Sequence, residues 1–234
     1  MENAADALKL AVGVMIALML ASLIVYVFTY MNNLEETRTQ AEFIQQVAAF
    51  NSKFNAFEKS SMYGTDLISV LGLAYANNMR ANASDSKHPD GHYDPDVESS
   101  VNIIFRLKTP VVGRTTKTVY RIVDGNIHEV IGPNNVGATI PIFSAGEYSL
   151  ETDSATLDKI KTIVIDGNTQ VQTRTEQGVP HYDSSIGKMV IEKTETVVSA
   201  TGYTDFKKRI FMSVEGETKT DGAGRIKSMT FTEK

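Results

Sequence analysis

Cysteine and tryptophan are both absent from this 234-residue chain. Without cysteine there is no disulfide framework, no thiolate nucleophile and no thiolate ligand for a metal. Without tryptophan, an aromatic belt at a membrane interface falls to tyrosine. Positive charge is also scarce: 23 Lys and Arg stand against 28 Asp and Glu, for a net charge of −5. A phosphate-binding surface needs clustered Lys and Arg, so the acidic balance argues against nucleic acid as a partner. No internal repeat of fixed period is present, and no Gly-x-Ser-x-Gly nucleophile elbow.

The longest absence is a gap in charge. Residues 10–31, LAVGVMIALMLASLIVYVFTYM, hold no charged residue, and their polar members are Ser22, Tyr26, Thr29 and Tyr30. In hydrocarbon every backbone N–H and C=O must be satisfied within the segment, which a helix achieves. A span needs roughly 20 apolar residues, and this run meets that length while exceeding the 7–15-residue core of a cleaved secretory signal. The sequence therefore predicts a transmembrane helix, with Tyr26 and Tyr30 near its interfacial end. Lys9 precedes the span and Arg38 follows it, so flanking basic charge nearly ties. A short N-terminal tail before a large domain predicts a signal anchor with the tail cytoplasmic and the C-terminal domain extracytoplasmic.

Proline and glycine are missing from residues 32–60, so the helix is expected to continue beyond the membrane. Phe43, Val47, Phe50, Phe54 and Phe57 fall at spacings of four and three, a heptad-like seam. After a break at residues 60–64, Thr65 reads as an N-cap with Asp66 in the first turn. Leu67, Leu71, Ala74 and Tyr75 share one face of a second, amphipathic helix fading at Asn77 and Asn78. A polar loop over residues 84–100 follows. The period then changes: residues 101–108, 117–123, 126–132 and 189–198 read as strands, with Asp124-Gly125 a tight hairpin. Residues 133–148 read as loop with an apolar island at 140–143, and residues 157–165 fit either a short helix or a strand. Asp166-Gly167 reads as another hairpin. Residues 204–211 open with a helical turn, and the strands on either side of residues 220–224 pair. Helices followed by strands give the α+β class with an antiparallel sheet. The expected divisions are 1–31 (tail and transmembrane helix), 32–60 (stalk), 61–82 (second helix) and 83–234 (β-rich head).

Chemistry-bearing clusters are few. The loop HPDGHYDPD brings His88, Asp90, His92, Asp94, Asp96 and Glu98 together. Asp90, Asp94, Asp96 and Glu98 carry the oxygen ligands a Ca²⁺ site uses, but they miss the EF-hand spacing. Pro89 and Gly91 argue against a helix that would aim both histidines at zinc. The reading is a solvated loop, with no metal and no cofactor. His128-Glu129 lacks the second histidine of a metalloprotease motif, because Gly132 stands in its place. Residues 132–139 space glycines like a P-loop, but Ala138 replaces the lysine that reaches phosphate. His181, Asp183 and Ser184 are too close in sequence to make a triad by themselves. No catalytic residue is assigned, and the expectation is a protein that is not an enzyme.

A short tail, an apolar helix running into a phenylalanine-lined stalk and a strand-rich head resemble type IV pilins and pilin-like proteins. YTDFKKRIF and GRIKSMTF (residues 203–211 and 224–231) are similar to the C-terminal pattern of membrane-anchored, pilin-like proteins of Gram-positive bacteria. The resemblance implies a structural subunit that assembles through its N-terminal helix into a surface filament or membrane-associated multimer. Membrane lipid, copies of itself and secretion or assembly machinery are the partners it implies. It also implies that Glu2 or Asp6 pairs with a neighbour's amino terminus, although neither sits at the family position and no basic leader precedes them. Small residues Gly13, Ala17 and Ala21 would let helices approach closely, and Phe43 and Val47 would be covered by neighbouring stalks. The alternative is a bitopic, signal-anchored extracytoplasmic binding or accessory protein that does not polymerise, displaying the acidic loop.

Overall fold

The computed structural model describes residues 2–84, 90–134 and 137–234. It divides into two units, Met1–Phe50 and Asn51–Lys234. The first unit is helical and consists of the bulk of α1 (Glu2–Asn55), 54 residues with no proline. Within that unit no second element exists to pack on, and residues 7–46 are exposed throughout. The helix is long and apolar enough, by length and composition, to cross a membrane.

The second unit begins with the last turn of α1 and continues through β1 (Met62–Tyr63), α2 (Gly64–Ala81) and a 3₁₀ turn (Asn82–Ser84). Then come β2 (Asn102–Leu107), β3 (Val111–Val123), β4 (Asn126–Asn134), β5 (Thr139–Phe143) and β6 (Gly146–Ser149). Helix α3 (Ser154–Lys159) runs into a π-helical turn (Ile160–Ile165), followed by β7 (Gln170–Gln177), β8 (His181–Asp183) and β9 (Lys188–Ser199). Helix α4 (Tyr203–Lys208), β10 (Ile210–Ser213), β11 (Lys219–Thr220) and β12 (Ile226–Glu233) complete the chain. The class is α+β, built on largely antiparallel sheets.

The first sheet runs β1-β10-β12-β2-β6, with β11 also on β12. One pair is parallel: β12 lies beside β2 from Ser228↔Asn102 to Thr232↔Arg106. Parallel neighbours need a crossover, and here everything between β2 and β12 provides it. Met229 and Phe231 alternate with Ser228 and Thr230 along β12, and all four are buried. Helix α2 packs on β1, β2 and β10, and also meets α4 and the π-helical turn. Its buried residues Leu67, Val70, Leu71, Ala74, Tyr75 and Asn78 follow the 3.6 period of a single stripe. Phe54, Phe105, Phe206, Phe211 and Phe231 are fully buried, and each contributes about 2–3 kcal/mol by leaving water.

Several local expectations change. Helix α1 stops at Asn55, because Phe57 and Glu58 donate their N–H groups to Phe54 and Asn55 in tighter turns. The Lys59 carbonyl then accepts from Ser213 N–H at 3.0 Å. Helix α2 starts at Gly64 instead of being capped by Thr65, and Asp66 accepts the Tyr63 N–H at 3.0 Å. A side chain at Gly64 would collide with the Phe206 carbonyl. The helix does not fade at Asn77 and Asn78 but continues to Ala81. Residues 133–148 hold the end of β4, β5 and most of β6 where a loop is expected, since Pro141 is tolerated on β5, which among the described residues pairs with β3 alone. Residues 157–165 are helical, so Asp166-Gly167 does not close a hairpin. Gly167, at φ 67°, ends the π-helical turn and leads into β7.

The second sheet runs β4-β3-β9-β7, with β5 on β3 and β8 on β9, all antiparallel. Asp124 and Gly125 close the β3–β4 hairpin at φ 52° and 79°, the geometry that type I′ turns require. Val111, Val198 and Ala200 are buried at one end of this sheet, whereas the middle of β3 and β9 is half-exposed.

Candidate functional site

On α1, Gly13, Ala17 and Ala21 recur every fourth residue and therefore share a face. All three are exposed, and nothing lies within 4 Å of a Cβ built on Gly13. The aliphatic hydroxyls of the run are closed off within the helix. Ser22 Oγ donates to the Met19 carbonyl at 2.9 Å and Thr29 Oγ1 to the Val25 carbonyl at 2.9 Å. Tyr26 and Tyr30 stack with centroids 6.4 Å apart. An apolar environment meets no unsatisfied hydroxyl on Ser22 or Thr29, which is the condition for lipid contact. Beyond the run, Arg38 pairs with Glu42 at 3.1 Å along the helix.

The phenylalanine seam divides along its length. Phe43 is 43% exposed, Val47, Phe50 and Phe57 are intermediate, and Phe54 is fully buried in the core of the second unit. The Glu2 and Asp6 side chains lie outside the described residues, as does His88.

The acidic loop is tied to the fold through other residues. Asn78, itself fully buried, donates to the Val101 carbonyl at 2.9 Å and accepts the Val101 N–H at 2.8 Å. It also reaches the Gly91 carbonyl at 3.3 Å. Asn77 donates to the Ser99 carbonyl at 2.6 Å and Asn82 to the His92 carbonyl at 2.8 Å. Lys227 Nζ donates to the Val97 carbonyl at 2.6 Å, and burial holds its ammonium below the usual lysine range.

The acids themselves do not converge. Asp94 is buried and accepts the Asp96 N–H at 2.9 Å, Glu98 pairs with Arg225, and Asp90 and Asp96 are exposed. Among the described residues no group of three His, Asp or Glu is placed to hold a metal ion. The three asparagines and Lys227 are the residues that sequence reasoning missed. Asparagines at the end of a helical pattern read locally as a helix stop, and only the folded loop supplies the carbonyls they bind.

The other motifs also resolve into structure. Glu129 pairs with Arg121 at 2.9 Å, and His128 is exposed on β4. Asp183 accepts the Ser185 N–H at 2.8 Å and hydroxyl at 2.6 Å, and lies 3.4 Å from Arg121. The Ser185 bonds, with Arg121 assisting, hold the Asp183 carboxyl below the usual carboxylate range despite partial burial. Gly132 sits in β4 and Thr139 opens β5, so no helix follows the P-loop-like glycines; residues 135 and 136 of that stretch lie outside the described residues.

The second sheet presents two unlike faces. Its register places Ile122, Ile127, Val130, Tyr182, Met189 and Ile191 on one side. Arg121, Glu129, Asp183, Lys188 and Glu192 lie on the other. Lys193 and Glu195, on the apolar side, bond each other at 2.7 Å. No model of a protein family matches the chain, and neither a curated protein nor a solved structure matches it.

Proposed function

We propose that this protein is a membrane-anchored, pilin-like structural subunit. Its N-terminal helix spans the membrane and packs against the helices of other copies, and its head lies on the extracytoplasmic side. Assembled, it forms a surface filament or a membrane-associated multimer. The observation that carries the reading is the first unit. An exposed helical run has the hydroxyls of Ser22 and Thr29 satisfied internally and repeats small residues every fourth position at Gly13, Ala17 and Ala21. In lipid, helix association rests on close packing, which small residues permit. Phe43, exposed on the stalk, is a second surface that neighbouring helices would cover. The partners in this reading are lipid, copies of the chain and the machinery that inserts or assembles it; no cofactor or nucleic acid is required.

The alternative, a bitopic accessory protein displaying the acidic loop, has less support, because Asp94 and Glu98 are engaged by the chain's own Asp96 and Arg225. The two readings separate by electron microscopy of sheared cell-surface fractions labelled with antibody to the head. Labelled filaments or multimers, lost in an Ala17→Leu variant that still inserts in the membrane, are expected. Labelled single particles alone would favour the accessory protein.

A further inference from the structure

The second sheet leaves apolar side chains in water that a lone head has no use for. Ile127 and Tyr182 are each 63% exposed, Met189 54% and Val130 53%, and Ile122 and Ile191 lie between them half-exposed. The register makes these six contiguous: Ile122 is opposite both Ile127 and Ile191, and Met189 is opposite Tyr182. Such a patch is on the order of 500 Å², toward the upper end for the largest apolar patch on a typical monomer, which is often functional.

We propose that this face is the contact surface between the heads of two copies of the chain. Charge argues against an ionic partner. The Lys193 and Glu195 beside the patch neutralise each other, and the acids and bases of the neighbouring rows lie on the opposite face. Area argues for a tethered one. A stable free dimer buries roughly 800 Å² per partner, more than this patch offers by itself. Copies held together through their N-terminal helices meet at high effective concentration, and a patch of this size then suffices. The inference thus rests on the assembly reading for its concentration term. A symmetric pair would stack the two sheets face to face about 10 Å apart.

The absence of cysteine makes the test clean. Full-length protein in its membrane carries one cysteine, at Ile127→Cys or Met189→Cys on the apolar face, or at Glu192→Cys on the charged face. Each is treated with a short bismaleimide. Dimers at the first two positions, at least tenfold over the third, are expected, as is loss of the Met189→Cys dimer when Ile127→Glu is added. Equal products on both faces, no product on the apolar face, or an adduct with another protein would overturn the proposal. An Ala17→Cys control reads helix assembly separately. Helix dimers without face dimers sink this inference alone, whereas face dimers without helix dimers sink the assembly reading.

Discussion

The Glu233 carboxylate binds Thr109 twice across 124 residues of sequence, accepting its hydroxyl at 2.7 Å and its N–H at 3.1 Å. It also accepts the Lys108 N–H at 2.7 Å, and Arg209 lies 3.5 Å away while donating to the Thr109 and Pro110 carbonyls. This cluster fixes the end of β12 to the turn between β2 and β3, where the parallel strand pair ends. Glu233→Ala leaves the part-buried N–H groups of Lys108 and Thr109 and the Arg209 guanidinium without this acceptor and is expected to cost about 1–3 kcal/mol. Glu233→Gln, which keeps one acceptor oxygen, should cost less. Denaturant melts of the full chain in detergent read both. Equal melts for Glu233→Ala and the parent would show that the cluster does not hold the fold.

Asn78 occupies the polar end of the buried stripe of α2 and satisfies both the N–H and the carbonyl of Val101. Asn78→Leu fits the stripe but strands those groups, and a loss of about 2–4 kcal/mol is expected. Hydrogen exchange should accelerate at the Val101 amide in particular. An unchanged Val101 amide would mean that the loop holds without the asparagine.

The seam gives a paired test. Phe54 is fully buried, so Phe54→Ala should destabilise the second unit by about 3–5 kcal/mol. Phe43 is 43% exposed, and Phe43→Ala should leave the melt within about 0.5 kcal/mol while weakening multimers. If Phe43→Ala melts as early as Phe54→Ala, the whole seam is intramolecular core.

Acid should loosen the turn before β12. Burial raises the Asp221 carboxyl, but the Arg225 N–H and guanidinium and the Ala223 N–H outweigh it, and the net shift is downward. A depressed folded-state carboxyl stabilises above its unfolded value, about 4, and loses that contribution as the pH falls through the folded value. Stability should therefore fall below about pH 4, and Asp221→Asn should be less stable at pH 7 with a flatter acid limb. An identical acid limb in the variant would remove Asp221 from the account.

Much of this was legible locally. The uncharged run at residues 10–31 announces a helix suited to lipid, and Asp124-Gly125 announces the hairpin, since both residues take positive φ. The antiparallel pairing of residues 211–213 with 231–233 follows from two alternating segments near a turn. What was hidden depends on distant partners. The parallel β2–β12 pair joins segments more than a hundred residues apart. Pro141 and Gly146 masked β5 and β6, because turn residues at a sheet edge look the same as turn residues in a loop. The acidic loop looked like a display of ligands because the asparagines of α2 that bind its carbonyls lie in another element. The apolar face of the second sheet was invisible without register, since a shift of one residue exchanges its two faces.

The central claim is that the N-terminal helix packs against copies of itself in the membrane, and a single-cysteine scan of residues 10–31 tests it most directly. Each full-length variant is cross-linked in native membranes, and dimer yield is plotted against position. The account predicts a wave with a period of about 3.6 residues, with maxima at Gly13, Ala17 and Ala21 and minima on the opposite face. A flat profile with no dimer at any position would contradict it and leave the helix a solitary anchor.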